Sequence, residues 1–227
     1  MNTILGTIFG SRWTKVVLFA ACLVPILLLA PGLWMLATSG YSPALTANPI
    51  EYITHYTGDW TIRFLLFTLC VTPLRKILNQ PKLVRYRRML GLFAFFYVCL
   101  HFLTWFVLDK FFSFPEMWAD IVKRRYITVG MLGFAMLIPL AITSTAGWVR
   151  RLGFAQWQRL HRLIYFAVLA GVIHYYWLVK SDVRLPLMYG AMLAILMLYR
   201  FAIWKKAPAR VSAARPATTP NTASLPD

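Results

Sequence analysis

Residues 157–179 read WQRLHRLIYFAVLAGVIHYYWLV. The stretch is apolar over a length that crosses a bilayer, which takes about 20 residues at about 1.5 Å each. It carries a histidine near each end, His161 and His174, and the only charge between them is Arg162. An imidazole in hydrocarbon is costly unless it is paired, so ionisable residues inside a span mark functional sites. The spacing predicts one helix that holds two groups about 20 Å apart along its axis.

The rest of the chain has the same character. Of its 227 residues 59% are hydrophobic, 16% aromatic and only 14% charged, with a mean hydropathy of +0.61. Uncharged runs of membrane length recur, which predicts an all-α polytopic membrane protein rather than a soluble domain. The alternating ten-residue pattern of an outer-membrane barrel is missing. A formal charge of +17 suggests nucleic acid at first sight. The basic residues, however, sit in the links between apolar runs, as the positive-inside rule expects, so no nucleic-acid partner is predicted. Cys22, Cys70 and Cys99 all fall within apolar spans without metal-ligand spacing, and read as small packing residues.

Six spans are predicted, at about 16–36, 58–74, 89–108, 126–145, 157–179 and 187–204. Pro25, Pro31 and Pro139 are expected to kink their helices. The first span is long and lacks a small-residue cleavage site, so it reads as a retained helix. Residues 37–57 read as a loop, marked by Gly40, Pro43 and Pro49. Residues 109–125 mix charges and aromatics in the manner of a short interfacial helix. Asp59 and Arg63 have the i, i+4 spacing of a local ion pair, and Arg200 is close enough to the end of its span to snorkel. Residues 1–15 form a cytoplasmic N-terminus, 16–204 the membrane domain, and 205–227, rich in Ala, Pro, Thr and Ser, a disordered cytoplasmic tail. Basic residues divide seventeen to six between the two sides of this topology, which places both termini in the cytoplasm.

Spans three and five then run in the same direction, from cytoplasm outward. His101 lies about 18 Å and His174 about 21 Å up their helices at the helical rise, so the two share a depth in the outer half of the bilayer. Two imidazoles facing one another from neighbouring helices suit axial ligation of haem iron. With both axial positions filled, such a centre transfers electrons rather than binding oxygen. There is no Cys-x-x-Cys-His motif, so the haem is expected to be b-type and not covalently attached. Zinc is disfavoured, since no carboxylate or further histidine shares that depth. The competing reading is that each histidine only bonds one helix to the next. His161 is either a ligand at a separate inner site or an interfacial residue. Thirteen residues at 100° put it about 140° from His174 around an ideal helix. The inner position on span three, fourteen residues before His101, is Arg87, so a second bis-His pair is not available there. Arg85, Arg87, Arg88, Arg159 and Arg162 read either as holders of an anionic flavin phosphate or haem propionates, or as solvated positive-inside charges, the second being favoured. His55 reads as an exposed loop residue.

Five stretches together carry a resemblance: NPIEYITHYTG (48–58), RFLLFTLCVTPLR (63–75), YRRMLGLFAFFYVCLH (86–101), TSTAGWVRRLG (143–153) and WQRLHRLIYFAVLAGVIHYYW (157–177). In order and spacing they resemble the ferric-reductase-like six-helix membrane family. Within it they are similar to the haem-binding membrane subunits of bacterial periplasmic protein-methionine-sulfoxide reductases. That resemblance implies haem b associated with His101, His161 and His174. It also implies an FMN, electrons from the membrane quinone pool, and a periplasmic molybdenum-cofactor catalytic subunit as partner in the bacterial inner membrane. About 23 residues follow the sixth span, too few for the flavin and nicotinamide domain of NADPH oxidases. Electrons are therefore expected from a lipid-soluble carrier or another protein.

The function expected is that of a non-catalytic electron-transfer subunit. The alternatives are a self-contained transmembrane reductase of ferric iron or another small acceptor, and a membrane scaffold or transporter without redox chemistry.

Overall fold

The computed structural model describes residues 2–206, and among them every regular element is helical. The ten helices are α1 (Asn2–Gly10), α2 (Arg12–Ser39), α3 (Pro49–Ile77), α4 (Val84–Leu103), α5 (Phe114–Lys123), α6 (Arg125–Ile142), α7 (Ala146–Leu152), α8 (Phe154–Leu160), α9 (Leu163–Leu178) and α10 (Arg184–Lys206). A π-helical stretch, Thr104–Asp109, prolongs α4. The tail predicted to be disordered lies outside the described residues from 207 onward.

Four helical segments are long and apolar enough to cross a membrane: Arg12–Ser39, Pro81–Asp109, Arg125–Ile142 and Arg184–Ile203. The other two predicted spans are helical as well. α3 has 29 residues with more polar content, and α9 has 16, almost all apolar. The most extensive packing is within the pairs α3/α4 and α6/α9, and α4 also meets α6 while α3 meets α9. α2 lies against α4, and α10 covers α9 and α3. Close contact rather than water exclusion holds such helices together in lipid. Accordingly Leu69, Ala94, Tyr97 and Val168 at the centre are fully buried.

One contact shows how a proline-bearing span is accommodated. Pro25 lies within α2, and it has no N–H to give to the preceding turn. In the next turn the Tyr97 hydroxyl bridges two backbone groups of the helix. It donates to the Cys22 carbonyl at 2.9 Å and accepts from Ile26 N–H at 3.3 Å. Tyr56 donates to the Pro25 carbonyl at 2.9 Å. Backbone groups loosened near the proline are thus satisfied by side chains of α3 and α4, as an apolar medium requires.

Several expectations are corrected. The region 37–57 is not all loop, because α3 starts at Pro49. Asn48 caps it by accepting from Glu51 N–H, with proline at the first helical position. Residues 2–10 form a helix. α1 is tied down where Lys82 donates to the Gly6 carbonyl, Arg85 to those of Gly10 and Ser11, and Tyr86 to that of Phe9. The stretch 157–179 is interrupted at His161–Arg162, where tightened bonds from Arg162 N–H to Arg159 and Tyr165 N–H to Arg162 separate α8 from α9. Arg200 does not snorkel outward. Its guanidinium turns into the bundle and donates to the Leu69 carbonyl at 2.7 Å. The Asp59–Arg63 ion pair forms at 3.5 Å. The region 109–125 does contain a short helix, α5, with Phe114, Trp118 and Val122 exposed along one side.

Candidate haem site between four helices

His101 sits near the end of α4, and His174 near the end of α9. The imidazole centroids are 6.1 Å apart with ring planes at 82°. His101 Nδ1 is 2.9 Å from the Thr54 carbonyl of α3, and His174 Nδ1 is 2.7 Å from the Tyr126 carbonyl of α6. A carbonyl only accepts, so each Nδ1 carries the proton and each Nε2 keeps its lone pair. Each ring is thereby fixed in rotation and tautomer by the backbone of a neighbouring helix.

The same device serves both rings. Four residues after Thr54 comes Gly58, and four after Tyr126 comes Gly130, which places each glycine on the helix face that carries the accepting carbonyl. A Cβ at Gly58 would lie 3.1 Å from His101 Nδ1, and one at Gly130 only 2.7 Å from His174 Nδ1. Without those methyl groups the imidazoles reach the carbonyls.

The rings border a cavity of about 510 Å³, within the usual range for cofactor pockets. Its walls come from α3, α4 with the π-helical stretch, α6 and α9, and include Leu65, Val98, Phe102, Ile127, Leu137 and Leu178. Asp59, Asp109, Arg124, Tyr126 and Tyr175 supply polar groups. The π-helical stretch begins three residues after His101 and brings Trp105 and Asp109 onto the wall. Such local widening of a helix is frequent at functional sites.

A haem fits these residues. A metal atom held by both Nε2 atoms at the usual metal–imidazole distance of about 2 Å would need ring centres at about the 6.1 Å spacing found. The second ring nitrogen of a metal-bound histidine almost always donates to a carbonyl or carboxylate, and both do so here. Among the described residues no group of three or more His, Cys, Asp or Glu is placed to hold a bare metal ion.

A comparison with family models matches residues 57–172 to the ferric reductase like transmembrane component. Curated relatives agree over more of the chain. A protein of Caulobacter vibrioides is 53% identical over 176 residues, 78% of this chain and 82% of its own. One of Herminiimonas arsenicoxydans is 51% identical over 195 residues, 85% and 86% of the two chains. A third, of Xanthomonas euvesicatoria pv. vesicatoria, is 48% identical over 206 residues, 91% and 93%. Each is named protein-methionine-sulfoxide reductase heme-binding subunit MsrQ. The chain belongs to the MsrQ family. With its long apolar helices, this member is a membrane protein.

The chain does not bring its third predicted histidine to the pair. His161 is absent from the cavity wall. Its Nε2 is 3.0 Å from the Thr143 hydroxyl, and its ring stacks on Trp157 at 3.9 Å, while Trp157 Nε1 donates to the Thr143 carbonyl. His55, expected to be exposed in a loop, is half-buried on α3 and lines the cavity. Gly58, Gly130 and His55 are the positions of the candidate site that sequence reasoning missed. The signal for the glycines was a glycine inside an apolar helix at a histidine's depth. None existed for His55 once its helix had been read as a loop.

Proposed function

We propose that this chain is the electron-transfer subunit of a methionine sulfoxide reductase system, with His101 and His174 as the axial ligands of one b-type haem. The carrying observation is the arrangement of the two imidazoles across the cavity, with both Nδ1–H groups committed to backbone carbonyls. A bound haem supplies a one-electron couple there. The chain's own residues hold the two ring planes, keep both Nε2 atoms deprotonated, and line much of the space with apolar side chains. Six helices, counting α3 and α9, cross the bacterial inner membrane with both ends cytoplasmic, a reading supported by the seventeen-to-six basic asymmetry. Electrons enter from membrane quinol, with an FMN in the same path, and leave to a periplasmic molybdenum-cofactor subunit. No residue is assigned to the flavin or the quinone. The alternative, a self-contained reductase of ferric iron, is favoured by one finding, the description of the matched family model.

The test is haem per protein, with dithionite-reduced spectra, for wild type, His101→Ala, His174→Ala and the double variant. Each single variant is expected to lose or convert the low-spin signal, and the double to be no worse, because both act on one iron. His161→Ala should leave that signal intact. A full bis-histidine spectrum in either single variant refutes the pairing. Copurification with a periplasmic molybdoprotein separates the subunit from the stand-alone reductase.

A further inference from the structure

The end of the bundle that holds the histidine cavity also carries a patch of exposed aromatic side chains. Asp109 and Arg124, which bracket the segment, both lie on the cavity wall. Between them Phe111 and Phe112 are 78% and 59% exposed. Helix α5 adds Phe114, Trp118 and Val122, also exposed and spaced i, i+4, i+8 on one face. Apolar side chains exposed on membrane helices face lipid as a matter of course, but this patch differs in three ways.

First, the patch is continuous with the cavity wall. Phe102, which lines the cavity, stacks on Phe106 with centroids 5.8 Å apart and ring planes at 13°. Phe106 in turn meets Phe112 at 5.4 Å and Phe114 at 5.3 Å. Two ring contacts therefore lead from the cavity to the exposed surface. Second, the backbone that presents the rings is held in a costly conformation. Phe111 and Phe112 have φ of 46° and 61°, the left-handed region that bulky residues avoid. Such residues persist only where their surroundings hold them. Here Lys110 N–H donates to the Trp105 carbonyl at 3.0 Å, Phe112 N–H to that of Phe106 at 3.1 Å, and Ser113 N–H to that of Lys110 at 2.8 Å. A ring that had only to reach lipid could do so from ordinary backbone. Third, the patch has a braced, charged rim. Lys110 pairs with Asp109 at 3.1 Å and with Asp120 at 2.7 Å, and Arg124 pairs with Asp120 at 3.3 Å. Aromatic anchors inside a polar rim are the anatomy of a protein interface, whereas a helix lying on lipid headgroups favours Lys and Arg on its polar side.

We propose that the Phe111–Phe112 turn and the exposed face of α5 form the docking surface for the water-soluble protein that takes electrons from this chain. The inference rests on the electron-transfer reading above. Electron transfer slows steeply with distance, so the acceptor must dock beside the cavity, and this patch is joined to the cavity's wall. The rings carry no charge in transit. Their packing fixes how near the partner comes. Electron-transfer complexes use small interfaces, in which a few aromatic anchors supply most of the binding energy. The partner is expected to offer an apolar recess for the phenylalanines, bordered by charges that complement the rim.

The test uses the full chain with its haem in nanodiscs of phosphatidylcholine and phosphatidylglycerol, and takes as probe the purified catalytic subunit of the same reductase system. Biolayer interferometry gives the affinity of wild type, Phe111→Ala, Phe114→Ala and Trp118→Ala. Trp34→Ala, at a comparably exposed tryptophan on α2, is the control. The three patch variants are expected to bind the probe about tenfold or more weakly with the reduced haem spectrum of wild type, and the control to bind as wild type does. A nitroxide on Val122→Cys, in a background without Cys22, Cys70 and Cys99, supplies a second readout by power saturation. It should be accessible to a water-soluble nickel chelate alone and shielded once the probe is added. A label that meets oxygen rather than nickel and ignores the probe assigns the patch to the bilayer and overturns the proposal. Equal probe affinity in the patch variants overturns it as well. In both cases wild type still binds the probe, so the electron-transfer reading stands, whereas a wild type that does not bind it sinks that reading and the docking surface together.

Discussion

Gly130→Ala is the smallest change that bears on how the histidines are held. The new Cβ would lie 2.7 Å from His174 Nδ1, 3.0 Å from Cε1 and 3.2 Å from Cγ. Ordinary contact begins near 3.4 Å, so the ring must retreat by about 0.7 Å (3.4 − 2.7). A shift of that size takes the 2.7 Å bond to Tyr126 toward the limit of hydrogen bonding. The loss is about 1 kcal/mol, and replacing a mid-helix glycine by alanine returns about the same. The apoprotein should therefore melt close to wild type. Haem retention should fall instead, because disturbing the group that orients a metal-bound histidine typically costs about 10–100-fold in affinity. Gly58→Ala, with its closest contact at 3.1 Å, should fall between Gly130→Ala and Gly190→Ala, whose Cβ would meet Val172 at an ordinary 3.5 Å. Haem titration of the apoproteins, read by the reduced spectrum, gives the three affinities, and thermal melts give the stabilities. Wild-type haem affinity in Gly130→Ala would refute the steric account.

Two further predictions concern the scaffold. Tyr97→Phe removes both hydrogen bonds that bridge Cys22 and Ile26 in α2, each worth about 1 kcal/mol, so thermal or detergent unfolding should show a loss of about 2 kcal/mol with the haem spectrum unchanged; a stability equal to wild type would mean that α2 closes its own bond there. A reporter fused after Asp227 should give a cytoplasmic signal, and a periplasmic one would overturn the six-span topology.

The parts of the fold legible in the sequence were those set by composition and by i, i+4 spacing. Long apolar runs gave the membrane class, and Asp59–Arg63 formed as its spacing allowed. The failures have two causes: a helix cap inside a stretch read as loop, and a charge satisfied inside the bundle. Asn48 and Glu51 looked like loop residues, yet with Pro49 they form a helix start, and that mistake hid His55 on the cavity wall. Arg200 was expected to reach for water because it lay near a span's end, whereas the Leu69 carbonyl and the Tyr165 ring draw it inward.

The candidate site was legible by depth but not by mechanism. Equal helical rise placed His101 and His174 together without any coordinates. Rise along an axis says nothing of which ring nitrogen is free, however. That depends on which carbonyl each imidazole meets, and therefore on glycines in two other helices, 43 residues before His101 and 44 before His174. The two assignments differ in kind for this reason. A histidine at a given depth could equally be a helix–helix hydrogen bond through either nitrogen. Two histidines that both surrender Nδ1 to a carbonyl beside a missing Cβ, and border one cavity with ring centroids 6.1 Å apart, have the same donor set prepared twice. A lone structural hydrogen bond needs only one such arrangement. The repetition on two independent helix pairs is what favours a shared ligand between them, and Gly130→Ala, which leaves both histidines in place, tests that preparation rather than the ligands themselves.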